Sequence, residues 1–404
     1  MASLLAPSNK KEVKHMDILY SFFLLGLTSF GGPVAHIGYF RNVFVKQKQW
    51  LDEQTYIDFV SLCNFLPGPS SSQVGMSIGY HLRGFKGALL AWIGFTAPSS
   101  LILIAFAYTI LNFENSISYG ILQGLKAIVV VIVFQAILGM KKNLLKDYYG
   151  YFITIITSIL LILFPSSLNQ FLCLIISGII GICLYKDKNQ IDKKKINLFK
   201  INFLNYFSLI LFFSLLIFLP IISDFFDSHL LKLANSFYRI GSLVFGGGHV
   251  VLPLLQEEFV SSGMIKENVF LAGYGVSQAI PGPLFTFSTY LGIFLKSGID
   301  KILLSLLCLL FIFLPSFLLV TGTLPFWEKL REISLFSRFL KGVNASVIGL
   351  LIAVFYDPII LSSLKNSEDT FLVILAFIIL FFTKVPQWSA VLILSLCGWG
   401  IGIL

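Results

Sequence analysis

Asn64-Phe65-Leu66-Pro67-Gly68-Pro69-Ser70-Ser71-Ser72, and again Gln278-Ala279-Ile280-Pro281-Gly282-Pro283, decide how this chain folds. Each is a Pro-Gly-Pro inside an apolar region, with a side-chain amide three residues ahead of it, and the two lie 214 residues apart. Working outward, Ser29-Phe30-Gly31-Gly32-Pro33 stands opposite Val244-Phe245-Gly246-Gly247-Gly248 at an offset of 215. Arg83 falls opposite Lys296 and Pro98 opposite Pro315. Gln123-Gly124-Leu125-Lys126-Ala127 falls opposite Lys341-Gly342-Val343-Asn344-Ala345 with the glycines aligned. One such match arises by chance; ordered matches over roughly 110 residues signal duplication of a unit.

The unit is a membrane unit. Of 404 residues, 56% are hydrophobic and 12% charged, half the charge of a soluble domain (about 25%), and mean hydropathy is +0.87. That excludes an ordinary cytosolic enzyme, a disordered chain and a nucleic-acid binder. Twenty-nine Lys and Arg against 20 Asp and Glu match basic cytoplasmic loops rather than a DNA footprint. Cys63, Cys173, Cys183, Cys308 and Cys397 sit in apolar runs with no metal-ligand spacing, so neither a disulfide framework nor a metal site is expected. The polar start, with Lys10, Lys11 and Lys14, lacks the apolar run of a signal peptide.

Runs long enough to cross a bilayer, ~20 apolar residues, cover or approach 85–113, 119–140, 149–164, 168–185, 203–222, 301–322, 336–356, 371–382 and 388–404. Regions 17–83 and 231–296 are apolar but interrupted by Gly and Pro. The expected architecture is all-α, a polytopic integral membrane protein of two homologous repeats with helices broken at Pro-Gly-Pro. Residues 1–185 form the first repeat, 186–228 a basic linker plus one linking helix, and 229–404 the second. An odd linking helix starts the second repeat from the opposite side, so the repeats are inverted and thirteen crossings are expected. With the N-terminus cytoplasmic, Arg83, Lys86, Lys141, Lys142, Lys146, the 186–200 linker, Lys329, Arg331, Arg338 and Lys384 lie inside, whereas Glu114, Asp224, Asp227, Asp357, Glu368 and Asp369 lie outside. Arg41, Lys46, Lys48, Glu257 and Glu258 break the pattern, beside the interrupted elements.

Each proline removes a backbone donor and glycine permits a sharp turn. Backbone freed inside a bilayer must face protein or a wet cavity. The half-helix that follows starts with unpaired N–H groups and a partial positive charge, a place for an oxyanion. Ser70, Ser71 and Ser72 in the first repeat, and Thr286 and Ser288 in the second, add hydroxyls. Two such ends near the midplane make a transporter arrangement. Pro67, Gly68, Pro69, Pro281, Gly282, Pro283, Asn64 and Gln278 are therefore candidate substrate contacts. Gly31, Gly32, Gly246, Gly247 and Gly248 either expose backbone to a ligand or let helices approach. Lys126 either balances an anion or snorkels. Asp58, Glu257 and Glu258 are candidate proton carriers; His36 and His249 read as packed or interfacial histidines, with a proton relay open. Gly75-Met76-Ser77-Ile78-Gly79 fits the hydrolase pattern G-x-S-x-G but lacks its strand-turn-helix setting, and Gly75 and Gly79 make a helix-packing face. No P-loop or dinucleotide fingerprint is present.

Phe30-Gly31-Gly32-Pro33, Gly38-Tyr39-Phe40-Arg41, Trp50-Leu51-Asp52-Glu53, Pro67-Gly68-Pro69 and Gly79-Tyr80 resemble the first half of the chromate ion transporter family, two-domain type. Phe245-Gly246-Gly247-Gly248-His249-Val250-Val251-Leu252-Pro253, Pro281-Gly282-Pro283 and Leu291-Gly292 resemble its second half. The resemblance implies export of chromate, with sulfate as its structural analogue. Asn64 departs from the Gln common at that position in the family. The expectation is a secondary transporter of the cell membrane that exports a tetrahedral oxyanion by alternating access, needs no cofactor, and leaves room for proton coupling and a homodimer. The alternatives are sulfate or another anion on the same fold and, more distantly, an intramembrane hydrolase using Ser77.

Overall fold

The protein is described by a computed structural model over residues 13–113, 119–185, 202–245, 250–327, 334–383 and 385–401. Gly246, Gly247, Gly248, His249, the 186–200 linker, Lys10, Lys11, Glu114, Lys329, Arg331 and Lys384 lie outside the described residues. Among those described there is helix and no strand.

In the first half, α1 (His15–Thr28) leads to α2 (Gly32–Phe40), which widens into a π turn over Arg41–Gln47; α3 (Glu53–Phe65) and α4 (Ser70–Phe113) follow. α4 is two helices, broken where Arg83 and Gly84 leave helical geometry and folded back on each other, since a Cβ on Gly79 would stand 2.3 Å from Gly87 O. Then come α5 (Tyr119–Leu144), α6 (Tyr148–Leu163) and α7 (Ser167–Leu184). α8 (Phe203–Phe225) links the halves. The second half repeats the order: α9 (His229–Leu243), α10 (Val251–Phe259), α11 (Glu267–Ala279), a 3-10 turn (Leu284–Thr286) into α12 (Phe287–Phe294), α13 (Lys301–Thr323), α14 (Ser334–Val354), α15 (Ser367–Phe382) and α16 (Gln387–Ile401). Short polar side chains cap several starts: Asp52 accepts from Thr55 N–H, Asp147 from Gly150 N–H and Ser166 from Asn169 N–H.

Five helical stretches are long and apolar enough to cross a bilayer: Ser70–Leu111, Gly120–Lys142, Phe203–Phe225, Lys301–Phe326 and Ser337–Ser363. The protein is a multi-pass membrane protein. On α8, Ile210, Phe213, Ile217, Phe218 and Ile221 are exposed, the surface a lipid-facing helix presents.

The halves pack by exchange. Within each half, α1 meets α4 and α9 meets α13 through equivalent glycines: a Cβ on Gly26 would stand 2.8 Å from Phe95 O, and one on Gly241 2.1 Å from Ile312 O. Between halves, α5 packs on α16 and α14 on α7. A Cβ on Gly124 would stand 2.1 Å from Leu394 O, and one on the matching Gly342 1.9 Å from Ser177 O. Contacts that map onto each other when the halves are swapped are those a two-fold relation produces. Backbone carbonyls cannot yield as a flexible side chain can, so overpacking, ordinarily a cost of about 1–3 kcal/mol, is severe here. Gly342→Val and Gly124→Val should each lower the melting temperature of the detergent-solubilised protein by several degrees. Wild-type melting in both would contradict this packing.

Candidate functional site

The two Pro-Gly-Pro turns are interlocked across the halves. α3 ends at Phe65 and Leu66 is extended; α4 begins at Ser70. Between them Gly68 adopts φ +121°, and its N–H donates to Val244 O at 2.6 Å. In the second half Gly282 adopts φ +107°, and its N–H donates to Ser29 O at 3.0 Å. Ser29 precedes Phe30-Gly31-Gly32, and Val244 precedes Phe245. Each turn is thus hydrogen-bonded to the glycine element of the other half. Side chains repeat the exchange: Cβ positions at Gly68 and Gly282 point at Ser316 Oγ (2.2 Å) and Ser99 Oγ (2.8 Å). Those serines follow the matched Pro315 and Pro98. Only glycine fits either place, by dihedral and by space.

Beside the first turn is a cavity of about 700 Å³. Gly31, Gly32, Asn64, Gly68 and Ser70 line it from the first half. Ala136, Gly139 and Met140 of α5, and Ser337, Lys341 and Asn344 of α14, complete the lining. Among the described residues the lining contains no carboxylate and one charged side chain, Lys341. Asn64 and Lys341 are exposed, so neither is sealed inside the helix packing. Amide, hydroxyl and ammonium together form a donor set suited to an oxygen-rich anion, while the single N–H of the Pro-Gly-Pro turn, on Gly68, is spent on Val244 O.

Other residues singled out from the sequence go elsewhere. Pro67 and Pro69 shape the turn without lining the cavity; Pro67 O accepts from Gln73 Nε2 at 2.6 Å, which also donates to Ser316 Oγ at 3.3 Å. Ser71 Oγ lies 3.2 Å from His36 Nδ1, and His36 Nε2 lies 3.1 Å from Ser29 O. Because a carbonyl only accepts, Nε2 carries a proton and donates to Ser29 O. His36 is buried and stitches the start of α4 to the carbonyl that also receives Gly282. Ser72 is buried in the turn following. Thr286 Oγ1 donates to Pro283 O at 2.7 Å, and Pro281, Gly282 and Pro283 do not line this cavity. Gln278 Nε2 is buried with no hydrogen-bond partner among the described residues. Lys126 is buried on α5, ten residues before Ala136 or ~15 Å along the axis, with Glu267, Asp369 and Lys365 as charged neighbours. Ser77 Oγ donates to Gln73 O at 2.8 Å with Cys63 Sγ at 3.5 Å. The neighbouring Gly79 presses on Gly87 O, a packing role. Lys341 and Asn344 escaped the sequence reading, although each repeat carries one lysine and one amide a helical turn apart: Gln123 and Lys126, Lys341 and Asn344.

Duplicated halves, membrane-length helices and a donor-lined cavity between halves define a membrane transporter. The chain belongs to the chromate transporter family, whose model matches residues 16–182 and 231–401. A chromate transport protein of Pseudomonas aeruginosa is 24% identical over 397 residues, 96% of this chain and 92% of that protein. A probable chromate transport protein of Synechococcus elongatus is 27% identical over 340 residues, 81% of this chain and 80% of that protein. An uncharacterised transporter of Methanocaldococcus jannaschii is 27% identical over 352 residues, covering 84% and 83%. No solved structure matches.

Proposed function

We propose that this protein exports chromate, a tetrahedral dianion, by alternating access through the cavity beside the first Pro-Gly-Pro turn. The observation that carries this is the cavity, free of carboxylates among the described residues, in which Asn64, Gly68 and Ser70 meet α14 of the other half. Names of the P. aeruginosa and S. elongatus relatives supply the substrate. With the N-terminus cytoplasmic and the repeats inverted, the basic ends of α5 (Lys141, Lys142) and the loop Lys146 flank the opening. The cavity then faces the cytoplasm, and its basic rim concentrates anions. A membrane potential negative inside favours dianion exit by ~2.3 kcal/mol per charge per 100 mV, so export runs without obligatory proton coupling.

Alternation follows from a difference between the matched halves. α11 lies directly on α5, with a Cβ at Gly275 only 3.0 Å from Leu125 O and 3.3 Å from Val129 Cγ2. The matching α3 stands off α14 across the cavity. Exchanging these two arrangements closes the cavity toward one side and opens an equivalent one toward the other. Sulfate is the second reading, favoured by the same donor set. In proteoliposomes, Asn64→Leu should reduce chromate flux by about tenfold, the scale of a lost hydrogen bond to a charged group, while Asn64→Gln retains most of it. Chromate flux unaffected by Asn64→Leu would sink this site; flux of sulfate without chromate would transfer the reading to sulfate.

A further inference from the structure

We propose that Lys341 makes this site selective for tetrahedral dianions over monoanions of the same shape. This rests on reading the cavity as an oxyanion site. The cavity's other donors are neutral: the Asn64 and Asn344 amides and the Ser70 and Ser337 hydroxyls. Neutral donors act through dipoles, whose pull on the second charge is weaker and falls off faster with distance than that of a full charge. A fixed cation adds a stronger, longer-ranged term that doubles for a dianion.

Lys341 is the cation placed to do this. Among the described residues, no other charged side chain lines the cavity. Its basic neighbours do not line the cavity. Arg338, one turn earlier on α14, donates from Nη1 to Ile182 O at 3.2 Å and Tyr185 O at 3.4 Å. Lys141, on α5, rests near the Tyr151 ring, 5.9 Å from its centroid. Lys341 Nζ lies 5.4 Å from the Tyr185 ring centroid, a soft contact that leaves its three donors unspent. Tyr185 OH is in turn anchored to Asp147 Oδ1 at 3.0 Å, so the ring is a fixed rest for a side chain with four flexible carbons. Asn344 sits one turn further on the same face of α14, since residues three apart share a face.

The position also ties selectivity to movement. Lys341 and Asn344 belong to the second half, and Asn64, Gly68 and Ser70 to the first. A dianion held by both draws α14 toward α3, the closure that alternation requires. A monoanion makes the weaker bridge.

The test is equilibrium binding of chromate to the purified full chain at alkaline pH, with displacement by sulfate and by perrhenate, a tetrahedral monoanion. Wild type should prefer sulfate to perrhenate. Lys341→Gln should weaken chromate and sulfate by about tenfold or more and change perrhenate far less, collapsing the preference; Lys341→Arg should keep it. A Lys341→Gln protein that retains the wild-type sulfate-to-perrhenate ratio overturns the proposal, as does a parallel loss of all three anions accompanied by a fallen melting temperature. Because binding rather than flux is read, failure of export leaves this result interpretable: a selective wild type without chromate flux removes the transport reading alone.

Discussion

Gly68→Ala is expected to abolish chromate flux in a protein that still inserts. At φ +121° the backbone is in a region that costs a side-chain-bearing residue of order 1–3 kcal/mol. A Cβ there would lie 2.2 Å from Ser316 Oγ and 2.6 Å from Gln73 Nε2. Relief requires moving Gln73, whose amide ties Pro67 O to Ser316, or lengthening the Gly68 N–H bond to Val244 O. Either shift displaces the turn that lines the cavity and slackens its hold on the other half. Fluorescence-detected size exclusion should show a monodisperse protein, and proteoliposomes should show flux near background. Adding Ser316→Gly should restore part of the flux by making room, without removing the dihedral strain. Wild-type flux in Gly68→Ala would mean that the turn is a passive kink.

A disulfide between the matched positions of α3 and α14 is expected to stop transport reversibly. Gly275 and Leu125 are the template: a Cβ at 275 stands 3.6 Å from Leu125 Cβ, within the range disulfides use, about 3.5–4.5 Å. Ser61 matches Gly275, and Val343 matches Leu125. With the five native cysteines replaced by alanine, Gly275→Cys with Leu125→Cys should cross-link readily and hold the arrangement described above. Ser61→Cys with Val343→Cys should cross-link only as the protein visits the exchanged arrangement. Oxidation of either pair should reduce flux to background, and a reductant should restore it. Undiminished flux through a fully cross-linked Gly275–Leu125 pair would rule out exchange as the means of alternation.

The Pro-Gly-Pro turns and the duplication were legible because they depend on local chemistry and on order along the chain. Proline and glycine announce a departure from helix wherever they fall, and both turns lie between helices, as α3 and α4, and α11 and the 3-10 turn, show. Asn64, three residues ahead of the first turn, lines the cavity beside it. What the residue order hides is which half a helix packs against. The pairing of α5 with α16 and of α14 with α7 is set by glycine-to-carbonyl contacts between segments far apart in sequence, and the repeat alone permits packing within a half equally well. Lys341 was missed as a consequence. At the edge of an apolar run it looks like an ordinary interfacial lysine, and only the exchange brings α14 to the first half's turn. Lys126 is conspicuous in sequence because it is deep in an apolar run; its charged neighbours are Glu267, Asp369 and Lys365, and it does not line this cavity. Ser71 and Ser72 were grouped with Ser70 by adjacency, but successive helical residues point in different directions, and Ser71 turns to His36.

Chromate flux through proteoliposomes at a clamped membrane potential tests the account most directly. Wild-type protein should carry chromate away from the side made negative, at a rate that rises with the potential, and Gly68→Ala vesicles should carry none. Chromate retention by wild-type vesicles at every potential, or equal flux from wild type and Gly68→Ala, would contradict the claim that the interlocked turns form the anion's path.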